Sequence, residues 1–250
     1  MTRLLAAEAL KLRSTRVPYV FAGIVTLLSA GAAAIYVVSD SLDEDAWLSL
    51  AQGANFGNIL ATILGILIVT NEYRHGTINS TFLVEPARER VLGTKLAVGV
   101  LAGASFAVLA LFAAVMVAAP WLAARGETLP VDGTIVEALA RLVASFALAC
   151  GIGIGVGAII QNQVGAIVAT FVWFFVVESV VGVVAALLAD GIGERDPVSP
   201  YMPGSAMQAI VGFEQADDFL LSAPAATLLT SGYVAALVLL GAVAMLRRDP

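Results

Sequence analysis

The sequence predicts an all-α integral membrane protein with six transmembrane helices. Hydrophobic residues make up 60% of its 250 positions and charged residues only 13%, whereas soluble domains carry about 25% charged residues. Six apolar runs are each long enough to cross a bilayer, which takes about 20 residues. Segments rich in lysine and arginine alternate with segments that carry few of them, as in polytopic membrane proteins. An ordinary water-soluble domain is therefore excluded.

The six spans are predicted from runs that carry no charge or almost none. Helices are expected throughout, because backbone groups in lipid must be satisfied within the segment and the runs are far longer than barrel strands. The second run begins with Gln52, Asn55 and Asn58, so its outer end is expected to be wet. The expected spans are residues 17–38, 54–71, 96–122, 139–160, 164–189 and 225–246. They form one membrane domain, residues 1–250.

The basic residues predict that both termini are cytoplasmic. Ten of the thirteen lysines and arginines lie before the first span, between spans two and three, or after the last span. Positive residues are retained on the cytoplasmic side of a membrane. Residues 72–95 are therefore predicted to form a cytoplasmic loop, and residues 190–224 an extracellular segment. Most acidic residues lie on the outer side, which agrees with this layout without deciding it.

Composition and motifs exclude several kinds of function. A net charge of -6 leaves no basic patch for nucleic acid. His75 is the only histidine and Cys150 the only cysteine, so neither a disulfide framework nor a histidine-based metal cluster is available. The phosphate-binding loop G-x-x-x-x-G-K-[ST] is absent. We therefore predict no catalytic residue, no metal ligand and no cofactor site in this chain.

Glu178 is the one charged residue well inside a predicted span. Such a charge is costly in lipid, which makes Glu178 a candidate functional residue. At about 1.5 Å per residue, Glu178 lies about 21 Å and Arg141 about 28 Å above the cytoplasmic ends of neighbouring spans. An intramembrane ion pair between them, or simple protonation of Glu178, is favoured over a contact with a substrate.

Four glycines occupy alternate positions in the fourth span: Gly151, Gly153, Gly155 and Gly157. Gly151 with Gly155, and Gly153 with Gly157, make two overlapping G-x-x-x-G faces that let other helices approach closely. Helix packing is the favoured interpretation, and flexibility during a transport cycle is the second. The run lacks the preceding strand and the spacing of a dinucleotide-binding loop.

The loop of residues 72–95 is long for a helix connection and too short for a domain. Thr77 is placed to cap a short helix that a proline ends, and Ile78, Phe82 and Leu83 are expected to share one face of it. An apolar stripe flanked by arginines suits either a groove on a cytoplasmic partner or an anionic lipid surface. The residues alone leave both interpretations open.

Three stretches of the chain share the pattern of a known family. They are the basic N-terminal segment with Glu8 and Lys11, the run Asn71-Glu72-Tyr73-Arg74-His75-Gly76-Thr77-Ile78 followed by Pro86, Arg88 and Lys95, and the run Pro200-Tyr201-Met202-Pro203-Gly204. With them the chain resembles, over nearly its whole length, the permease subunits of ABC-2-type ATP-binding cassette exporters. The pattern E-Y-R-x-G-T-I is the most specific part of the resemblance.

The resemblance implies an ABC-2-type exporter fold in the bacterial cytoplasmic membrane. The chain would be a half-transporter that pairs with a second permease subunit, as a homodimer or heterodimer, and with separate ATP-binding subunits that hold ATP and Mg²⁺. It would not itself be an enzyme. Segment 1–16 would be an interfacial helix, loop 72–95 would contain the coupling helix, and segment 190–224 would contain short extracellular helices. The expected coupling residues are Glu72, Arg74, Thr77, Ile78, Phe82 and Leu83.

Two other functions are compatible with six spans. A secondary carrier would work without an ATPase and depend on an ion gradient, and a membrane scaffold or immunity protein would transport nothing. The lone Glu178 and the lack of broken spans facing each other count against a carrier, and the coupling-like loop counts against a scaffold. No arrangement of polar groups in the spans identifies a transported substrate.

Overall fold

The computed structural model describes residues 2–39, 46–188, 198–212 and 220–247, and within these ranges the backbone forms helices and no β-strand. Six helical stretches are long and apolar enough to cross a membrane, so the predicted all-α architecture with six spans is confirmed. The helices are α1 (Thr2–Ser14), α2 (Val17–Val38), α3 (Ala46–Ala54), α4 (Asn58–Arg74), α5 (Ile78–Val84), α6 (Arg88–Ala124), α7 (Thr134–Ile160), α8 (Gln163–Val172), α9 (Glu178–Leu188), α10 (Pro203–Ile210) and α11 (Ala223–Arg247).

Several spans are longer than their apolar runs. One turn of 3₁₀-helix, Asn55–Gly57, joins α3 to α4, so the second span runs over Ala46–Arg74. Helix α6 has 37 residues, which at 1.5 Å per residue makes it about 55 Å long, well beyond a hydrocarbon core of about 30 Å. The expected loop of residues 72–95 is consequently mostly helix, and α5 is held between the ends of α4 and α6.

The fifth span is interrupted by a wide turn. Trp173–Val177 form a π-helical segment between α8 and α9, a feature that often marks functional sites. The turn that leads into this span has only two residues: Gln161 takes a left-handed conformation with φ 58°, and the Asn162 side chain accepts a hydrogen bond of 2.8 Å from the Gly165 amide. These two residues reverse the chain between α7 and α8.

Helix α7 is the centre of the bundle and packs against α4, α6 and α11. Gly153 and Gly157 lie against the backbone of α4, and Gly151 and Gly155 lie against α11. A methyl group at Gly153 would stand 2.9 Å from the carbonyl carbon of Thr62, closer than van der Waals contact allows. The four glycines thus occupy two faces on which neighbouring helices approach α7 closely.

Helix α10 is inserted into the bundle. Ala209 and Ile210 are fully buried, and the helix packs against α7 and α11. Segment 190–224 therefore contains the expected short helix, but this helix lies within the packed structure. Residues 189–197 and 213–219 of the predicted fifth span and outer segment lie outside the described residues.

Candidate functional site

Helix α5 presents one face to the bundle and another to the outside. Ile78 is 4% exposed, and the hydroxyl of Thr81 lies near the Glu72 carboxylate, 3.4 Å from Oε2. Leu83 and Val84, at the end of the helix, are 85% and 83% exposed. The first turn of α5 therefore fixes the helix against the bundle. Its last turn exposes two aliphatic side chains, Leu83 and Val84.

Four charged side chains form a cluster beneath α5, which we call the ion cluster: Glu8, Lys11, Glu72 and Lys95. The Lys11 ammonium lies 2.6 Å from both Glu8 Oε1 and Glu72 Oε1. The Lys95 ammonium is fully buried and lies 2.8 Å from Glu8 Oε2 and from Glu72 Oε1. Each cation thus meets two anions, which balances charges that burial would otherwise make very costly. The ion cluster joins α1, α4 and α6.

Lys11 also connects the ion cluster to α5. Its ammonium donates a long hydrogen bond of 3.5 Å to the hydroxyl of Thr81. Partial burial by itself would lower the pKa of Lys11, but hydrogen bonds to Glu72 and Glu8 outweigh it and raise that pKa above its ordinary value. Lys11 is therefore charged at neutral pH, and α1 and α5 are tied to the same buried charges.

The expected coupling residues do not share one exposed face. Glu72 is buried in the ion cluster, Ile78 is buried against the bundle, and the ring of Phe82 lies beneath the Arg88 guanidinium, 4.9 Å from the ring centroid. Of the apolar residues expected to share one face, only Leu83 is fully presented to the outside. The reason is geometric, since consecutive residues are rotated by about 100° around a helix and Leu83 follows Phe82 directly.

The other two polar coupling candidates, Arg74 and Thr77, lie at either end of the connection between α4 and α5. The Arg74 guanidinium donates a hydrogen bond of 2.9 Å to the side-chain oxygen of Gln163, which links the end of α4 to the start of α8. Thr77 stands at the position that precedes α5, but its side chain makes no capping hydrogen bond. The expected cap is therefore wrong in its hydrogen bonding and right in its position.

Glu178 and Arg141 have partners other than each other. Arg141 donates to the carboxylate of Glu137 on the same helix, with 2.7 Å from Nη2 to Oε1. Glu178 accepts hydrogen bonds from the indole N–H of Trp173 at 3.0 Å and from the backbone N–H of Gly204 at 2.9 Å. The predicted ion pair is therefore wrong. Glu178 and Arg141 lie at similar depths, but depth does not determine which helix faces meet. The first turn of α10, through the Gly204 amide, occupies the position beside Glu178 that was expected for Arg141.

The polar residues at the start of the second span are internal. Asn58 is buried and donates a hydrogen bond of 2.7 Å to the Ser145 hydroxyl, which in turn donates to Asn55 Oδ1 at 3.1 Å. The sequence predicted that this end of the span is hydrated and did not predict the buried hydrogen-bond network. The signal was present in the spacing, because Asn55, Asn58 and Thr62 lie three and four residues apart and so fall on one helix face.

The fold and these polar sites define a multi-pass helical membrane protein. The family model described as ABC-2 family transporter protein matches residues 4–177. The chain therefore belongs to the ABC-2 transporter family and is a membrane permease of the ABC-2 type, as its resemblance predicted. The match includes the ion cluster and α5, and it ends one residue before Glu178. A comparison with curated proteins gave no match.

Proposed function

We propose that this chain is the permease subunit of an ATP-binding cassette exporter, and that a separate subunit binds ATP with Mg²⁺ and hydrolyses it. The observation that carries the proposal is the construction of α5, which is fixed at its first turn and exposes Leu83 and Val84 at its last. Exposed aliphatic side chains on a firmly held helix suit insertion into an apolar groove of another protein. The second permease subunit is either a copy of this chain or a sister chain.

The distribution of charge supports a cytoplasmic position for α5. The same end of the bundle carries α1, the end of α4 and the start of α6, where most lysines and arginines of the chain are found. Positive residues are retained on the cytoplasmic side of a membrane. We therefore orient this end toward the cytoplasm, where an ATP-binding subunit reaches α5 directly.

The ion cluster would transmit movement of α5, caused by the docked ATP-binding subunit, to the membrane-spanning helices. In the proposed cycle, closure of the ATP-binding subunits pushes on α5. Because Ile78 is buried and Thr81 is bonded to Lys11 and Glu72, α5 moves together with α1 and with the ends of α4 and α6. Energy from ATP in the partner then shifts the permease pair between inward-facing and outward-facing states.

The test is purification of the tagged chain from its native host in mild detergent, with mass spectrometry and an ATPase assay on the co-purified proteins. We expect an ATP-binding subunit in stoichiometric amount. Leu83→Asp should remove it, because a carboxylate placed in an apolar groove is left without a partner. Val131→Asp is the matched control: Val131 is 92% exposed on the loop before α7, at the opposite end of the bundle, and this variant should keep the ATPase.

Two results would refute the proposal or its site. Recovery of the wild-type chain without ATPase activity would refute the exporter and favour a carrier or a scaffold. Recovery of the ATPase with both aspartate variants would place docking elsewhere than α5. Leu83 is a cleaner target than Phe82, since Phe82 is half-buried beneath Arg88 and its replacement would also disturb local packing.

A further inference from the structure

A cavity of about 520 Å³ lies within the membrane-spanning part of the chain, bounded by α4, the fifth span and α10. Its size falls within the range of about 300–1,000 Å³ that is typical of small-molecule sites. Phe171, Phe174 and Phe175 form its apolar wall, and the rings of Phe171 and Phe175 are stacked with their centroids 5.7 Å apart. The cavity is therefore large and apolar enough for an aromatic or aliphatic body of drug-like size.

Glu178 supplies a carboxylate to this cavity, and no cation among the described residues balances it. Its hydrogen bonds come from Trp173 and Gly204, and no lysine or arginine among residues 2–39, 46–188, 198–212 and 220–247 forms an ion pair with it. A carboxylate inside a membrane is stabilised by protonation or by a cation. A positively charged ligand in the cavity would supply the cation that the described part of the protein does not.

Asn58 is a second polar residue at the cavity, and its hydrogen bonding is incomplete. Its side chain lines the cavity and is buried, and its amide nitrogen donates to Ser145. Its oxygen Oδ1 is buried and accepts no hydrogen bond from any residue that the structure describes. Leaving a buried acceptor unsatisfied is costly. A turn of the Asn58 amide toward the cavity would let an N–H donor of a ligand satisfy this oxygen.

We propose that this cavity binds an organic cation in which an N–H-bearing charged group meets Glu178 and Asn58 and an apolar body packs on the phenylalanine wall. An anion would be repelled by Glu178, and a neutral sugar would leave the Glu178 carboxylate without a cation. Aromatic faces also attract cations directly. The assignment of this cation class as the transported cargo rests on the proposed exporter function, whereas binding in the cavity does not depend on it.

The test measures binding of two fluorescent probes to the full chain in lipid nanodiscs, after subtraction of the signal from empty nanodiscs. Dansylcadaverine has a primary ammonium on an aromatic body, and its N-acetyl derivative has the same body without the charge. We expect the wild-type chain to bind the cation about tenfold or more tightly than the neutral probe, as for a hydrogen bond to a charged group. Glu178→Gln should abolish that preference and leave binding of the neutral probe unchanged.

Glu137→Gln is the matched control, because it removes a carboxylate that pairs with Arg141 and does not line the cavity. This variant should keep the preference for the cation. Unchanged binding of the neutral probe shows in each variant that the cavity is intact. Equal affinity of the wild-type chain for both probes, absence of binding above empty nanodiscs, or a preference that survives Glu178→Gln would each overturn the inference.

These results are separable from the exporter proposal. If the ATP-binding subunit co-purifies but Glu178→Gln and Glu137→Gln show the same preference between the two probes, the cavity inference fails and the exporter stands. If the probes bind as expected but no ATPase is recovered, the site stands and the cation would belong to another kind of membrane protein.

Discussion

Replacing Gly153 by alanine tests how closely α7 approaches α4. The added methyl group would stand 2.9 Å from the carbonyl carbon of Thr62 and 3.0 Å from the amide nitrogen of Ile66, whereas ordinary contacts begin at 3.4 Å. Both obstacles are backbone atoms, so no change of rotamer relieves the clash. The carbonyl oxygen of Thr62 is closer still, so the two helices must separate by more than a few tenths of an ångström at this contact.

The expected loss of stability follows from two opposing effects. Overpacking a well-packed interior costs about 1–3 kcal/mol, and the upper end applies here because the obstacle is backbone. Alanine is a better helix former than glycine by about 1 kcal/mol. The free energy of unfolding should thus fall by about 2 kcal/mol, which corresponds to a decrease in Tm of about 4–8 °C for a chain of this length.

The assay is thermal unfolding of the purified chain in detergent, followed by size-exclusion chromatography with fluorescence detection. Gly31→Ala is the matched control, because a methyl group at Gly31 on α2 meets no other atom within 4 Å. This control should leave Tm unchanged or raise it. A Gly153→Ala variant as stable as the wild-type chain would refute direct backbone contact between α7 and α4.

Three further substitutions are informative in the same assay. Lys95→Met leaves two buried carboxylates with one cation and should lower the free energy of unfolding by about 3–5 kcal/mol; an unchanged Tm would mean that the ion cluster is not buried in solution. For Lys11→Met, the difference in stability from wild type should be constant below the ordinary pKa of 10.5. It should shrink as the pH rises from this value through the higher pKa of the folded state, and a difference that does not change over that interval would contradict the raised pKa. Gly204→Ala places a methyl group against Glu178 Oε2 and should lower stability by about 1 kcal/mol, the low end of the overpacking range, because the flexible carboxylate end of Glu178 can move; Gly31→Ala should not.

The spans were predictable because lipid leaves the backbone no alternative to the helix. The first span, Val17–Val38, has the bounds that its apolar run indicates. The third span was predicted to start at residue 96, but α6 begins at Arg88, since a helix that continues into water needs no apolar run and hydropathy registers only the part in lipid. The burial of α10 could not be predicted from hydropathy either, because it depends on packing against α7 and α11 and not on the short sequence of α10 itself.

The sites were less predictable because their members are far apart in the chain. Lys95 stands at the edge of a long apolar run, which indicates that it needs a buried partner. Its partner Glu8 lies 87 residues away, and only the fold brings α1 against α6. Glu178 was singled out from its position in a span, but its predicted partner was wrong because depth along a helix says nothing about rotation around it.

The ion cluster and Glu178 should respond to neutralisation in opposite ways. The charges of the ion cluster are mutually balanced, so loss of Lys95 leaves two buried carboxylates with one cation and destabilises the chain with or without a ligand. Glu178 has hydrogen-bond donors but no cation among the described residues, so Glu178→Gln removes a desolvation cost and keeps an acceptor for Gly204. We expect this variant to match or exceed the wild-type Tm while losing its preference for a cationic probe. A large decrease in Tm would instead mean that the Glu178 charge serves to hold α10 in place.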